Sequence, residues 1–243
     1  MTHPTSPSTT TPTHVVLVPG FWLGAWAWDG VVPGLRDADL VPHAVTLPGL
    51  ESADADRAGI TLDDHVRAVT DLVDGLDGDV VLVGHSGGAV PVQLAVDRRP
   101  GRVRRAVYVD SGPLRPGSVI APAATGADHP LPPWEQLAAE STSAEGLDDA
   151  LRATFERSAV PHPAGVAREP VQPSDPRRLT VPVTVVCSSI PSPALQELVA
   201  AGHIPAELPD VEDVTYVDLP TGHWPMLSRP DDLAAVIAEA ARA

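Results

Sequence analysis

The stretch VVLVGHSGGAV, residues 80–90, joins a run of β-branched apolar residues to a serine that is flanked by glycines. Its residues 84–88, GHSGG, match the pattern G-x-S-x-G and lie between a predicted strand and a predicted helix. In that context the serine occupies a sharp, strained turn that exposes its hydroxyl group. We therefore predict that Ser86 is a nucleophile and that the backbone N–H of Gly87 stabilises a developing oxyanion.

Two other interpretations of this turn are a phosphate-binding loop and a glycine-rich turn that carries an incidental serine. The sequence contains no G-x-G-x-x-G and no lysine, so both the dinucleotide fingerprint and the P-loop are missing. The incidental serine remains an alternative to the nucleophile.

Apolar runs and helix-period segments alternate on both sides of this turn, which predicts an α/β fold with a mostly parallel central sheet and helices on both faces. The predicted strands lie at 14–20, 41–49, 79–84, 103–111, 181–189 and 213–220. The predicted helices of this core lie at 25–36, 61–76, 89–99, 194–201 and 231–243. Thr61 and Asp64 form a capping-box pattern at the start of the second helix, and Pro91 fits the third helix only in its first turn.

One domain is predicted over residues 14–243, with an insertion at residues 111–180. This segment holds 11 of the 28 prolines and two predicted helices, one of them at 145–158. A proline-rich insertion between two core strands is more typical of a lid over a site than of an independent domain, and the alternative is a loosely packed surface excursion. Residues 1–13 are rich in Pro, Thr and Ser and are predicted to form a disordered tail.

The composition narrows the classes of partner. The formal net charge is −16 at pH 7, so we predict neither nucleic acid nor an anionic membrane surface as a partner. No apolar run approaches the roughly 20 residues of a membrane span. The single cysteine, Cys187, allows no intrachain disulfide, and without a secretory signal we expect a cytoplasmic protein. No histidine or cysteine spacing predicts a metal site, no motif predicts a cofactor, and nothing predicts an oligomeric state.

From about His14 onward the chain resembles the α/β-hydrolase superfamily. VVLVPGFWLGAW is similar to the strand and oxyanion loop of that family, VVLVGHSGGAV to its nucleophile elbow, and YVDLPTGHWPMLSRPDDLAAVI to its last strand, histidine loop and closing helix. The GAWAW stretch is most similar to small methylesterases and hydroxynitrile-lyase-like members. The resemblance implies the α/β-hydrolase fold and a Ser, acid, His order along the chain.

The resemblance places His223, in TGHWP, beside the serine as the general base. The acid departs from the usual pattern, because the segment after strand 181–187 has no Asp or Glu before Glu197, inside a predicted helix. Some members carry the acid one strand earlier, and Asp110 ends the strand VRRAVYVD, so we predict Asp110 as the acid. Asp110 as a simple turn residue is the alternative, and Asp218 is a weaker candidate because it lies within the last predicted strand.

The aromatic stretch PGFWLGAWAW supplies further candidates. If the resemblance holds, the backbone N–H of Phe21 is the second oxyanion donor. Trp22, His85 and Trp224 are assigned to the substrate pocket, although His85 also has a structural interpretation. Trp26 lies at helical spacing from Trp22, which predicts that Trp26 is the core tryptophan of this stretch.

Together these residues predict a serine hydrolase of carboxylic esters, thioesters or lactones that works through an acyl-enzyme and takes a small-molecule substrate. One alternative is a non-hydrolytic, hydroxynitrile-lyase-like enzyme that uses Ser86 and His223 for proton transfer. The other is a ligand-binding protein with a decayed site, which the missing acid suggests. The sequence does not identify the substrate.

Overall fold

The computed structural model describes residues 11–140 and 142–243. Within these residues the fold is built on a parallel sheet. Its six strands run in the order β2-β1-β3-β4-β7-β8 and every neighbouring pair is parallel. The strands are β1 (Thr13–Val18), β2 (Val41–Ala44), β3 (Asp79–His85), β4 (Val103–Val109), β7 (Val183–Cys187) and β8 (Val214–Asp218), and the short β5 (Asp128–His129) and β6 (His162–Pro163) pair separately. The predicted α/β-hydrolase fold is confirmed, and the predicted tail falls mostly on residues 1–10, outside the described part.

Helices cover both faces of the sheet. They are α1 (Val32–Asp37), α2 (Leu62–Asp74), α3 (Ala89–Arg98), α4 (Trp134–Ala139), α5 (Asp149–Ser158), α6 (Ala164–Arg168), α7 (Ser192–Ala200), α8 (Pro225–Ser228) and α9 (Pro230–Arg242). Side chains of β1 alternate between two cores: Val15 and Leu17 pack on the α1/α9 side, and Val16 and Val18 on the α2/α3 side. The apolar run therefore fills both faces of a buried strand, as parallel sheets require.

Helix α2 begins where its capping pattern predicts. The hydroxyl of Thr61 accepts a hydrogen bond from the backbone N–H of Asp64, and the Asp64 carboxylate accepts one from the backbone N–H of Thr61. This reciprocal pair satisfies two N–H groups that the helix itself leaves free. In α3, Pro91 is the third residue, so its missing N–H costs no helical bond.

The predicted helix over 25–36 is wrong in part. The structure has a 3-10 turn at Ala25–Trp28 and a separate helix α1 from Val32. Gly30 lies between them, and a Cβ on it would be 2.9 Å from Pro230, so the turn packs closely on the start of α9. Because Trp22 precedes the 3-10 turn, helical spacing does not relate it to Trp26, and Trp28 rather than Trp26 is the fully buried tryptophan of this stretch.

The segment from β4 to β7 contains more regular structure than the sequence pattern predicted, with helices α4, α5 and α6 and the strand pair β5–β6. Phe155 of α5 is fully buried and meets the rings of Trp134 and Trp224 edge to face. The backbone N–H of Val160 donates to the carbonyl of Trp22. The segment thus packs against the loops that follow β1 and β8. Within the part of the chain that the structure describes, none of the helices has the length and apolar character to cross a membrane.

Acidification is expected to destabilise the fold through His65. This side chain is 1% exposed, and its Nε2–H donates to the carbonyl of Pro48 at 2.9 Å. Burial lowers the pKa of His65 from 6.5 to about 4. Between these two values the unfolded chain binds more protons than the native protein, so stability is lost as the pH falls through this window and not further below it.

From pH 7 to pH 5 this single group should cost about 2 kcal/mol of the free energy of unfolding. Urea unfolding of the wild type and His65→Gln at both pH values measures it, with exposed His203→Gln as the control. An equal pH dependence in all three proteins would contradict the prediction.

Candidate active site

Three loops meet at the edge of the sheet where β1, β3 and β4 end. Ser86 is the first residue beyond β3, Asp110 is the first beyond β4, and Trp22 lies in the loop after β1. All three have positive φ, at 50°, 45° and 66° respectively. Residues other than glycine rarely adopt a positive φ, and the backbone strain that it causes concentrates at functional sites. Three of the four described non-glycine residues with positive φ therefore lie at the edge that the sequence motif indicated, and the fourth, Asp39, precedes β2.

Glycines make the turn at Ser86 possible. Ser86–Gly88 form a 3-10 turn that leads directly into α3. A Cβ on Gly88 would lie 2.3 Å from the carbonyl oxygen of Pro19, and one on Gly84 would lie 2.9 Å from the Cα of Ala89. Only glycine allows backbones to approach this closely, so the turn can project its serine beyond the sheet.

Ser86, His223 and Asp110 form one hydrogen-bonded chain. The Oγ of Ser86 lies 2.8 Å from Nε2 of His223, and Nδ1 of His223 lies 2.6 Å from Oδ2 of Asp110. A carboxylate only accepts, so Nδ1–H donates to Asp110 and the neutral ring leaves Nε2 free to accept from the serine hydroxyl. The imidazole is therefore oriented to take the proton of Ser86.

The Asp110 carboxylate is almost buried, and both of its oxygens accept hydrogen bonds. Oδ1 accepts from the backbone N–H groups of Ser188 and Ser189, at 3.1 and 2.8 Å, and Oδ2 accepts from the hydroxyl of Ser189 at 2.6 Å. Burial alone would raise the pKa of Asp110, but the hydrogen bond and charge of His223 and the bonds from Ser189 outweigh it. The pKa of Asp110 is held well below its usual range, and the carboxylate stays ionised.

Ser188 and Ser189 follow β7, the strand after which the family usually places its acid. Nothing in the residue pattern indicated a role for Ser189, although a serine pair stands where the usual acid is expected. The alternative acid, Asp218, lies away from His223: its carboxylate accepts from the backbone N–H and hydroxyl of Ser192 at 2.7 and 2.8 Å. Asp218 therefore caps the start of α7.

Hydrogen bonds to the backbone N–H and carbonyl of His223 hold this residue in place. Its N–H donates to the carbonyl of Ser143 at 2.7 Å, and its carbonyl accepts from Nε2–H of His85 at 2.7 Å. His85 is 1% exposed, and burial with the nearby His223 lowers its pKa to about 3, so it is neutral. Ser143 could not be found from the sequence, because it acts through a main-chain carbonyl.

Phe21 and Gly87 lie together. The Phe21 ring covers Gly87 so closely that a Cβ there would be 2.4 Å from two ring atoms, and it stacks on His162 at 4.1 Å between centroids. The structure thus brings the loop after β1 against the first residue beyond Ser86, as the two predicted oxyanion donors require.

A cleft of about 230 Å³ opens beside Ser86. Its walls include Gly87, Val90, Ser111, Leu114 and Ile120. The three residues assigned to the pocket from sequence, Trp22, His85 and Trp224, are all buried and none of these described side chains lines this cleft. Their assignment to the substrate pocket gains no support from this cleft and stays a prediction.

Each of the three has a structural task that explains this position. The indole N–H of Trp22 donates to the carbonyl of His129 at 3.0 Å. The Trp224 ring packs edge to face on His223, and His85 supports the backbone of His223. Aromatic content near a nucleophile therefore indicated packing around the site, not the wall of the cleft.

Fold and site together define an α/β-hydrolase-type protein with a serine at its nucleophile elbow. The chain matches the Alpha/beta hydrolase family over residues 15–236 and belongs to that family.

Individual relatives match over shorter stretches. Methylesterase 9 of Arabidopsis thaliana is 36% identical over 107 residues, which cover 40% of this chain and 40% of the relative. The carbendazim hydrolyzing esterase of Nocardioides sp. (strain SG-4G) is 34% identical over 103 residues, 40% of this chain and 41% of the relative. The chain thus aligns with less than half the length of these curated relatives.

Solved structures match over nearly the whole chain. An extracellular alpha/beta-hydrolase from a Paenibacillus species superposes with a TM-score of 0.76 at 19% sequence identity, covering 96% of this chain and 100% of that one. At this identity the likeness shows the fold, which agrees with the sheet order and the helices on both faces.

Proposed function

We propose that this protein is a serine hydrolase of carboxylic esters that works through a Ser86, His223, Asp110 triad and a covalent acyl-enzyme. The observation that carries the proposal is the unbroken chain of two hydrogen bonds, 2.8 and 2.6 Å, from Oγ of Ser86 through His223 to Asp110. A serine hydroxyl is a weak nucleophile unless an oriented base takes its proton.

The proposed reaction has two halves. Oγ of Ser86 attacks the ester carbonyl carbon while Nε2 of His223 takes its proton, and the tetrahedral oxyanion is stabilised by the backbone N–H groups of Phe21 and Gly87. The C–O bond to the alcohol then breaks, and His223 returns the proton to the departing oxygen. Water then attacks the acyl carbon while Nε2 of His223 takes its proton, the bond from the acyl carbon to Oγ of Ser86 breaks, and His223 returns that proton to Oγ as the carboxylic acid leaves.

Asp110 supports both halves by its charge. The imidazolium that forms on His223 lies 2.6 Å from a carboxylate whose pKa is held below its usual range, so the ion pair is available throughout. The same bond fixes the tautomer with Nε2 facing the serine.

Relatives and chemistry agree on the substrate class. The curated relatives include proteins named methylesterase and carbendazim hydrolyzing esterase, which supports a small-molecule ester as substrate. Thioesters and lactones present the same acyl carbon and fall within the proposal.

Covalent labelling tests the proposal without a guessed substrate. The wild type and Ser86→Ala are incubated with a fluorophosphonate, and the intact mass of each is measured. We expect one adduct per chain on the wild type and none on the variant, because only an activated serine displaces fluoride. A folded wild type that takes up no label would contradict the proposal and favour a ligand-binding protein. Labelling with no ester turnover would favour proton-transfer chemistry on the same residues.

A further inference from the structure

A second cavity lies beyond the cleft, between the ends of β4 and β7 and helix α7. Its volume is about 190 Å³. Its apolar walls are Leu114, Val186, Ile190, Leu195, Ile204 and Leu208. The Ser86 cleft and this cavity share four lining residues, Asp110, Ser111, Gly112 and Leu114. The two spaces therefore lie next to each other where β4 ends.

The boundary between the two spaces includes Gly112, which has no side chain. A Cβ on Gly112 would already lie 3.4 Å from Leu208, in van der Waals contact, so any larger side chain would extend toward the cavity wall. Glycine therefore keeps the side-chain volume at this boundary to a minimum.

The walls of the cavity are fixed by hydrogen bonds. Gln93, 2% exposed, donates to the carbonyl of Leu114 at 2.8 Å and accepts from its N–H at 2.9 Å. On the other side the N–H of Glu207 donates to the carbonyl of Pro113 at 2.7 Å, and Leu114 pairs with Ala206 in an isolated bridge. A cavity held in this way is largely formed before a ligand arrives.

The lining of this cavity favours an apolar ligand over a charged one. Both oxygens of the Asp110 carboxylate are already hydrogen-bonded, and burial raises the pKa of the Cys187 thiol to about 12, so the thiol is neutral. Ser189 and Ser111 already donate their hydroxyl hydrogens, to Asp110 and to the carbonyl of Ser86 respectively. What remains is aliphatic wall, which recognises hydrocarbon.

We propose that this cavity is reached from Ser86 past Gly112 and is an apolar subsite that holds the hydrocarbon part of the ester, a chain of about six carbons or a phenyl ring. An apolar cavity of about 150 Å³ is large enough for benzene, so this one has the required size. The inference rests on the proposed hydrolysis at Ser86. The hydrocarbon can belong to the acyl group or to the alcohol, and the experiment separates the two.

The test uses Leu195→Trp, which fills the cavity from α7, and Leu198→Trp as the matched control, because Leu198 lies on the same helix but not in the wall. One arm measures kcat/KM for p-nitrophenyl acetate, butyrate, hexanoate and octanoate. The other measures it for methyl, butyl and hexyl acetate in a pH-stat. Each methylene that enters the subsite should raise kcat/KM of the wild type about fourfold, so hexanoate should exceed acetate by about 10²-fold.

In Leu195→Trp the long-to-short ratio should fall by about tenfold or more in the arm whose chain occupies the subsite, and Leu198→Trp should keep the wild-type ratio. A fall in the acyl arm assigns the acyl group, and a fall in the alkyl arm assigns the alcohol. An unchanged ratio in both arms overturns the subsite while leaving the hydrolysis intact.

Two further measurements keep the proposal testable. If Leu195→Trp does not fold, Leu195→Ala enlarges the cavity and should raise the octanoate-to-hexanoate ratio, or the corresponding ratio of alkyl acetates; no change overturns the subsite. If the wild type hydrolyses no ester, the proposed function fails, and saturation-transfer NMR with hexan-1-ol then decides the cavity alone. Binding to the wild type that Leu195→Trp abolishes supports it, and equal binding to both overturns it.

Discussion

Ser86→Ala is expected to lower kcat for ester hydrolysis by about 10⁶-fold, the scale on which loss of the serine acts in enzymes of this mechanism. The variant keeps His223, Asp110 and the loop of Phe21, but no atom can form the acyl-enzyme. A residual rate of about 10³-fold over water is expected from oriented binding and the oxyanion donors. Burst kinetics with p-nitrophenyl acetate measure both the acylation step and the turnover.

Ser158→Ala at the end of α5 is the matched control, since it makes the same substitution outside the cleft. It should hydrolyse p-nitrophenyl acetate at the wild-type rate. Because Ser86 has φ of 50°, the alanine variant retains the strain without the function, and its stability should be checked by urea unfolding. A folded Ser86→Ala protein that loses less than about tenfold in kcat would show that another group is the nucleophile.

The elbow could be predicted from sequence because its causes are local. Glycine at 84, 87 and 88 and an apolar strand before them already dictate a close-packed turn, and the structure shows which backbone atoms each glycine approaches. The α2 start is similar, since Thr61 and Asp64 bond within four residues. Local causes leave a sequence signature.

The remaining features of the site depend on contacts between distant segments. Ser189 reaches Asp110 across 79 positions of sequence, and Ser143 supports His223 through a main-chain carbonyl. Neither leaves a motif. The cluster of aromatic residues near the nucleophile predicts a pocket wall, but packing against the segment between β4 and β7 buries Trp22 and Trp224, and His85 is buried against the backbone of His223. Which side of a ring faces a cleft is decided by tertiary packing, which periodicity does not encode.

Asp110→Asn is expected to lower kcat by about 10⁴-fold while the protein stays folded. Asparagine tolerates the φ of 45° at this position, so the backbone should keep its course. The amide can, however, offer its N–H₂ group to Nδ1 of His223, which favours the tautomer with the proton on Nε2 and removes the acceptor from Ser86. Steady-state kinetics with a p-nitrophenyl ester give the loss in kcat, and circular dichroism confirms folding. Unchanged kinetics would reject Asp110 as the acid.

A carboxylate that follows the neighbouring strand β7 should also be able to orient His223. Ser189 Oγ and Nδ1 of His223 both lie 2.6 Å from the same oxygen of Asp110, so an acid at position 189 starts next to the imidazole. Asp110→Gly removes the strain of the positive φ and leaves the volume of the side chain empty. This single variant should lose about as much of the wild-type kcat as Asp110→Asn.

Adding Ser189→Asp to Asp110→Gly should restore all but about 10² of the wild-type kcat, the usual cost of a catalytic group misplaced by about 1 Å. Ser188→Asp in the same background is the control, because Ser188 contacts Asp110 through its backbone N–H and not through its side chain. If the carboxylate acts by orienting His223 and balancing its charge, its strand of origin is immaterial and only position 189 rescues. If neither double variant gains activity over Asp110→Gly, catalysis requires a carboxylate at the end of β4. A carboxylate at the family's usual acid position, after β7, would then not replace Asp110.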